Sequence, residues 1–171
     1  MKKMKSLLRK NVIVFWILIF SMVTIEAIAI AERNNIDDAE KELLARAIYG
    51  EASNQGEEGM QAVGNVIMNR VNGKEWYGNT LTGVILKDKQ FSVFNDPEGR
   101  NYKRMMGATE DDKEYQQALE IAEGLILGNI DDNTGGATHY YNPDEANPDW
   151  ADSPLMTKLK KIGDHTFLLE A

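Results

Sequence analysis

The sequence predicts a mainly helical domain with a strand near its end, an arrangement of the α+β class. Apolar residues recur at helical spacing through residues 43–71, and a further helical pattern ends at Leu127. A turn-rich, polar region follows over residues 131–152, and the strand-like run KIGDHTFLL comes after it. Neither an internal repeat nor a low-complexity linker interrupts this order, so residues 42–171 are predicted to form one domain with one core.

The first 31 residues have the composition of a secretory signal peptide. Five basic residues lie among the first ten, an uncharged apolar run follows over residues 12–25, and small residues alternate with isoleucine up to Ala31. Residues 1–31 are therefore predicted to be a cleaved signal peptide, so that the rest of the chain is exported. An uncleaved signal anchor is the alternative, because the apolar stretch approaches the length of a membrane span. The membrane would then be contacted only through this segment.

The exported part is strongly acidic. The whole chain has a formal charge of −8, and the predicted signal peptide contains five basic residues and one acid, which leaves −12 on the remainder. Such a charge disfavours contact with a phosphate backbone, so no nucleic-acid partner is predicted. The chain contains no cysteine, which excludes disulfides and thiol nucleophiles.

A polar leader, residues 32–41, is predicted to precede the domain.

Two helices joined by a short turn are predicted at the start of the domain. Asp37 is placed as the N-cap of the first helix, which runs to about Ala52. The second helix is expected from Glu57 to Asn72, and Asn54 stands at capping-box spacing before it. Glu57 is therefore interpreted as a residue of the first helical turn rather than as a catalytic acid.

The middle of the chain is predicted to contain short elements and one long helix. A loop and a short helix are expected within residues 76–86, and QFSVFN at residues 90–95 alternates aromatic and polar side chains as a strand does. Residues 100–107 are basic and are interpreted as irregular. Thr109 is placed as the cap of a helix that ends at Leu127, with acids in its first turn.

One glutamate, Glu51, stands where the first helix is expected to end. Leu44, Ile48 and Glu51 are spaced i, i+4 and i+7, so the carboxyl projects from the same stripe as the apolar residues. It is therefore expected to face the core or a cleft. Burial favours the neutral form of a carboxyl, which can then donate a proton. The alternative is a helix-terminal glutamate whose side chain returns to solvent.

Other catalytic arrangements lack the residues that they require. The motif G-x-S-x-G is absent, and the two histidines, His139 and His165, do not form the pattern H-E-x-x-H. No metal and no cofactor are therefore predicted, and a zinc amidase, which needs three protein ligands, stays only as an alternative. Residues 131–142 match part of a calcium-binding loop and are interpreted as a turn.

The second chemical signal is a set of aromatic and amide residues. Aromatic faces contact the C–H faces of a sugar ring, and amides hydrogen-bond to its hydroxyl and acetamido groups. The alternative is that the rings fill the core, since alternation along a strand sends about half of the side chains inward. The predicted substrate-binding residues are Gln90, Phe91, His139, Tyr140, Tyr141, Asn142 and Trp150.

Four segments of the chain, taken in order, resemble a known family. They are ARAIYGEASNQGEEGMQAVGNVIMNRV, QFSVFN, GGATHYYNPDEANPDWA and KKIGDHTFL, and the resemblance covers residues 42–168. Together they resemble the spore cortex-lytic type of cell-wall hydrolase, the SleB and CwlJ family. The segment YGEA and the final IGDHTF are more similar to the SleB catalytic domain than to CwlJ.

The resemblance implies a lysozyme-like lytic transglycosylase fold, mainly helical with a small β lobe. It also implies cleavage of the β-1,4 bond between N-acetylmuramic acid and N-acetylglucosamine in the glycan strands of peptidoglycan. The implied setting is the cell wall or the spore envelope, with spore cortex lysis during germination as one role. By match to the segment YGEA, the implied catalytic acid is Glu51.

A lytic transglycosylase can work with one carboxylate, because the C6 hydroxyl of the muramic acid is the internal nucleophile. Glu51 is expected to protonate the leaving oxygen and then to accept the hydroxyl proton. Hydrogen bonds from Gln90, Tyr141 or Asn142 are expected to orient the acetamido groups. Ordinary glycosidases need a second carboxylate, and no other acid here has an equally distinctive setting. The alternatives are an N-acetylmuramoyl-L-alanine amidase and a non-catalytic module that binds wall glycan.

Overall fold

Five α-helices and a three-stranded antiparallel sheet make up residues 37–171, the part of the chain that the structure, a computed structural model, describes. The predicted signal peptide lies outside the described residues. The helices are α1 (Asp38–Ala52), α2 (Gly56–Val71), α3 (Leu81–Ile85), α4 (Arg100–Gly107) and α5 (Lys113–Ile126), and the strands are β1 (His139–Tyr141), β2 (Met156–Ile162) and β3 (His165–Glu170). Short 3-10 helices occupy Glu75–Tyr77, Ser92–Phe94 and Asp149–Asp152. None of the helices described is both long and apolar enough to cross a membrane.

Helix α1 begins and ends where the sequence predicts. The Asp37 carboxylate accepts a hydrogen bond from the backbone N–H of Ala39 at 2.9 Å, as an N-cap does. The helix extends to Ala52. Residues 38–41, which the sequence interpretation counts with the polar leader, are the first turn of α1, so the folded part already includes them.

Helix α1 is the central element of the larger core. It packs against α2, α3, α4 and α5. Leu44, Ala45, Ala47 and Ile48 are each 0% exposed, although they do not all lie on one face of a helix. Because neighbouring helices surround α1, they determine the direction in which Glu51, on its last turn, projects.

Close packing between three helices depends on a glycine in α2. A Cβ atom at Gly64 would lie 2.4 Å from Leu125 Cδ1 and 3.0 Å from Ile48 Cδ1. Atoms do not approach so closely in a packed core, so the Leu125 and Ile48 side chains, or the helices that carry them, would have to shift. The absence of a side chain at Gly64 therefore allows α1, α2 and α5 to meet.

The sheet has the strand order β1–β3–β2, and both strand pairs are antiparallel. His139 lies opposite Leu168, and Tyr141 lies opposite Thr166. Strands β2 and β3 form a hairpin across Gly163, whose φ of +55° favours glycine. The prediction of a single strand at the C-terminus is therefore wrong, because this glycine turn reverses the chain and makes two strands.

A smaller core attaches the sheet to α2. Its buried residues are Ala62, Val66, Ala137, Ile162 and Phe167. Tyr140 of β1 packs against both this core and the larger one. The sheet is thus a small lobe on a helical body, and the predicted α+β class, mainly helical with a small β lobe, is confirmed.

The N-terminal caps of two helices differ from the prediction. In α5 the Asp112 carboxylate accepts a hydrogen bond from the N–H of Tyr115 at 3.0 Å, so the helix begins after the predicted cap, Thr109. In α2 the N-cap is Gln55, without a side-chain cap bond, so the capping predicted for Asn54 is wrong. The Gln55 side chain bonds instead to the turn between β2 and β3. Several polar residues precede each helix, and tertiary contacts determine which of them is the N-cap.

Residues 100–107, interpreted from the sequence as irregular, form helix α4. Only Met105 is buried in this helix, so no apolar periodicity marks it in the sequence. A distant side chain stabilises it: the Arg46 guanidinium donates to the carbonyls of Met105 at 2.7 Å and Met106 at 3.3 Å, near the helix end. The segment QFSVFN also differs from its strand-like pattern, since Ser92–Phe94 is a 3-10 turn.

Replacing Gly64 by valine is expected to lower the free energy of unfolding by about 1–3 kcal/mol, because the new side chain overpacks a buried contact. Gly107→Val is the control, since Gly107 is exposed at the end of α4 and a Cβ atom there meets nothing within 4 Å. Urea unfolding followed by circular dichroism measures both variants. Equal stability of the two would contradict the packing role of Gly64.

Candidate active site

The carboxylate of Glu51 is held by donors from two separate parts of the fold. Its Oε1 accepts hydrogen bonds from the backbone N–H of Val93 at 2.9 Å and from Ser92 Oγ at 3.2 Å. Its Oε2 accepts a hydrogen bond from the Tyr140 hydroxyl at 3.0 Å. Because α1, the 3-10 turn Ser92–Phe94 and strand β1 converge on it, the carboxylate has one fixed orientation.

Glu51 lies where the two halves of a groove join. One half is a cleft of about 540 Å³ and the other a cleft of about 490 Å³, and the residues that line both are Glu51, Ser92, Asn142, Glu145 and His165. The first, called here the aromatic half, is also lined by Arg70, Lys89, Gln90, Asn95, His139, Tyr140, Tyr141, Ala146 and Trp150. The second, called the arginine half, is also lined by Gly50, Asn54, Gln55, Arg100, Asn101 and Arg104. The groove therefore continues on both sides of the carboxylate.

The structure brings six of the predicted substrate-binding residues together in the aromatic half: Gln90, His139, Tyr140, Tyr141, Asn142 and Trp150. The Trp150 ring lies 5.1 Å from the His139 ring and 5.8 Å from the Tyr141 ring, measured between centroids. Trp150 is 37% exposed, so part of its ring faces solvent. An aromatic surface suited to a sugar face is therefore present beside Glu51.

Phe91 does not line the groove. It is 1% exposed and belongs to the larger core. The 3-10 turn Ser92–Phe94 follows it directly, and Phe91 has the inward placement that the sequence analysis gave as the alternative for these rings. Its ring packs instead below the guanidinium of Arg70, 5.2 Å away. This placement corrects the expectation that Phe91 contacts substrate.

Arg70 is a residue of the site that the sequence interpretation missed. It is 6% exposed, and its guanidinium lies between the rings of Tyr77 and Phe91 at 5.6 Å and 5.2 Å. Burial lowers the pKa of Arg70 from its usual value. A signal was available in the sequence, because Val63, Ile67 and Arg70 repeat the i, i+4, i+7 spacing that drew attention to Glu51.

Arg70 also sets the direction of a predicted binding residue. Its Nη1 donates to Gln90 Oε1 at 3.0 Å, and its Nε donates to the Thr138 carbonyl at 2.6 Å. Since the guanidinium has only donors, it takes the oxygen end of the Gln90 amide. The NH₂ end of Gln90 is then left as a donor for an acceptor in the groove.

His139 is neutral at pH 7. Burial, followed by the positive charge of Arg70, lowers the pKa of His139 to about 4. Its Nδ1 lies 3.1 Å from Thr138 Oγ1, and its ring lies 5.9 Å from the ring of Tyr77. His139 is therefore a flat, uncharged surface of the groove rather than an acid at neutral pH.

The rings of His165 and Tyr140 pack against each other at an angle of 57° beside Glu51. Their ring centroids lie 5.0 Å apart, and burial lowers the pKa of His165. Burial, together with the charge of Glu51 and the hydrogen bond to it, raises the pKa of Tyr140 well above its usual value. Tyr140 thus keeps its proton and remains a donor to Glu51. His165, which is not among the predicted substrate-binding residues, also lines both halves of the groove.

The acidic residues that line the groove are Glu51 and Glu145. Glu145 is exposed and lies in the turn-rich segment after β1. In residues 37–171 no three side chains of histidine, cysteine, aspartate or glutamate are grouped as a metal site. The chemistry open to this groove is therefore centred on a carboxylate.

Comparison with known families places the chain among wall-degrading proteins. The family model described as Cell Wall Hydrolase matches residues 54–168, and the chain therefore belongs to the cell wall hydrolase family. Glu51 precedes the matched range by three residues, so its assignment depends on the geometry of the groove and on the segment YGEA.

Curated relatives carry the name spore cortex-lytic enzyme. That of Halalkalibacterium halodurans is 35% identical over 130 residues, which are 76% of this chain and 34% of the relative. That of Bacillus cereus is 33% identical over 138 residues, which are 78% of this chain and 46% of the relative. The chain thus spans less than half the length of these curated relatives.

Two solved structures share the fold. The catalytic domain of the Bacillus cereus SleB protein matches with a TM-score of 0.60 at 31% identity, over 78% of this chain and 92% of that one. The catalytic domain of the germination-specific lytic transglycosylase SleB from Bacillus anthracis matches with a TM-score of 0.61 at 30% identity, over 78% of this chain and 97% of that one. The predicted resemblance and its lysozyme-like fold are therefore confirmed.

The two histidines of the chain permit a direct test of the groove's electrostatics. We expect the His139 ring to titrate near pH 4 in an NMR titration, against its usual 6.5, with His165→Gln used to assign the signals. Because the folded state then binds fewer protons than the unfolded state, His139 lowers stability as the pH falls from 6.5 towards 4. His139→Gln is expected to flatten stability over this window. A His139 midpoint above 6.5 would contradict the burial described.

Proposed function

We propose that this chain cleaves the β-1,4 bond between N-acetylmuramic acid and N-acetylglucosamine in peptidoglycan, as a lytic transglycosylase with Glu51 as its catalytic residue. One observation carries the proposal. The Glu51 carboxylate is fixed by three donors at the point where the two halves of an open groove join. A polymer that lies in both halves would present an internal bond to this carboxylate.

The aromatic half has the chemistry for one side of the glycan strand. Rings of Trp150 and Tyr141 offer apolar faces, and the amides of Gln90 and Asn142 offer hydrogen bonds to acetamido groups. The neutral His139 adds surface without charge. Because Arg70 holds the oxygen end of Gln90, the NH₂ group is left to donate a hydrogen bond to a carbonyl oxygen of the substrate.

The proposed reaction uses one carboxyl in two roles. Protonated Glu51 donates its proton to the glycosidic oxygen, so the bond to the departing sugar breaks. The carboxylate then accepts the proton of the muramic C6 hydroxyl as that oxygen attacks C1. The product is a 1,6-anhydro ring, and Glu51 is protonated again for the next cycle. Tyr140 holds Oε2 in place, and its raised pKa keeps it in the donor form throughout.

A muramidase, which uses water instead, is the second candidate of the same class. It needs a carboxylate that activates water, and Glu145 is the other acid that lines the groove. Glu145 lies on an exposed turn, whereas Glu51 is held by three donors. This difference favours the mechanism with a single carboxylate.

The relatives suggest where the chain acts. The curated relatives are called spore cortex-lytic enzymes, and one solved relative is called germination-specific. We therefore propose the cell wall or the spore envelope as the place of action, reached by export. Lytic activity is therefore to be measured on peptidoglycan from the vegetative wall and on peptidoglycan from the spore cortex.

Glu51→Gln is expected to fold normally and to lose about 10²–10⁴-fold in wall-lytic rate, because an amide cannot donate the proton of a carboxylic acid. Glu57→Gln is the matched control. Glu57 is exposed on the first turn of α2 and accepts a hydrogen bond from Gln117, which a glutamine can also accept. The rate of clearing of a peptidoglycan suspension measures both variants. An equal loss of lytic rate in the two folded variants would contradict the assignment of Glu51 as the catalytic residue.

Mass spectrometry of digested peptidoglycan is expected to show 1,6-anhydro-muramic ends. The Glu145→Gln variant is expected to produce the same ends. Reducing muramic ends that disappear in Glu145→Gln would instead establish the muramidase. Freed stem peptides would establish the amidase. Binding to peptidoglycan without any cleavage would leave a glycan-binding module as the function.

A further inference from the structure

The arginine half of the groove has a composition that contact with sugar faces does not explain. Among the residues that this half does not share with the aromatic half, none has an aromatic side chain. It presents Arg100 and Arg104 together with the amides of Asn54, Gln55 and Asn101. Guanidinium groups form their strongest hydrogen bonds with carboxylates and phosphates. This half is therefore suited to an anion.

Neither of these arginines is paired with a carboxylate within residues 37–171. The cations that do form ion pairs there are Lys41, Arg46, Lys103 and Lys158. Arg104 donates to Ser53 Oγ at 3.0 Å and lies 5.1 Å above the ring of Tyr49, which fixes its position. Arg100 is exposed. The chain has 27 acidic residues, yet neither of these two groove arginines forms an ion pair with an acid among residues 37–171.

The arginines and the acids of the arginine half lie in different parts of its lining. Glu51 and Glu145 belong to the side that this half shares with the aromatic half. Of the two halves, Arg100 and Arg104 line the arginine half alone. An anion in this half is therefore expected at the guanidinium groups of Arg100 and Arg104.

We infer that the arginine half binds the carboxylates of the peptide stem that peptidoglycan carries on its muramic acid. The inference rests on the proposed function, because it takes the glycan strand to lie along the groove. The muramic acid carboxyl is uncharged once it is amide-linked to the stem, so the stem carboxylates are the negative charges that such a strand offers. The chain accordingly prefers strands that bear peptides over strands that lack them.

Equilibrium binding to soluble fragments tests this preference. The probes are a peptidoglycan tetrasaccharide with its peptide stems, the same fragment with the stem carboxylates converted to amides, and the fragment with the stems removed and the freed muramic acid carboxyls converted to amides. The full chain with Glu51→Gln is used, so that the fragments stay intact. We expect the first probe to bind about tenfold more tightly than the other two, the factor that a charged hydrogen bond typically contributes.

Three variants distinguish the effect of the two groove arginines from the effect of losing any positive charge on α4. Arg100→Gln and Arg104→Gln are each expected to remove part of the roughly tenfold discrimination between the first and second probes. Lys103→Gln is the matched control, with the same loss of charge on the same helix. Lys103 is paired with Glu98 at 2.9 Å and does not line the groove, so the discrimination is expected to persist.

Equal binding of the three probes would overturn the inference, and so would an equal effect of Lys103→Gln. Arg104→Gln also removes the contacts of Arg104 with Ser53 and Tyr49. If that variant alters the fold, the discrimination measured with Arg100→Gln alone tests the inference. Failure of the proposed function appears elsewhere, as freed peptides or uncut strands in the digestion products. Failure of the present inference appears only as lost discrimination in binding.

Discussion

The orientation of the Glu51 carboxylate depends on three donors, and the rest of the groove depends on the elements that supply them. Helix α1 supplies the carboxylate, the 3-10 turn supplies the N–H of Val93 and the hydroxyl of Ser92, and β1 supplies the hydroxyl of Tyr140. The helical body and the small sheet therefore meet at one side chain. Any shift of the sheet relative to α1 would change the position of the proposed acid.

A second buried charge organises the neighbouring wall of the groove. Arg70 on α2 reaches the carbonyl of Thr138 and the amide of Gln90, and two aromatic rings cover it. Its charge also adds to the burial that keeps His139 neutral. Phe91 is then best understood as the floor beneath this arginine. One buried cation thus links the aromatic surface, a binding amide and the core.

The two halves of the groove differ in kind, although they share Glu51. Rings and amides line one half, while guanidinium groups and amides line the other. Peptidoglycan has the same duality, since its sugar backbone is amphipathic and its peptide stems carry charge. The chain corresponds to almost the whole of the solved catalytic domains and to less than half of the curated relatives, so the fold of those catalytic domains is the part that it shares with them.

Local patterns in the sequence were enough to determine α1, the N-cap Asp37 and the helix face on which Glu51 lies, because helical spacing places residues on a face without knowledge of the partner. The same rule, applied to α2, would have identified Arg70. Only the tertiary structure decided that Phe91 points inward and that residues 100–107 are helical. Both outcomes depend on contacts with distant residues: the guanidinium of Arg70 covers the Phe91 ring, and Arg46 bonds to the end of α4. Neither contact leaves a periodic signal in the sequence, because its two partners are far apart along the chain.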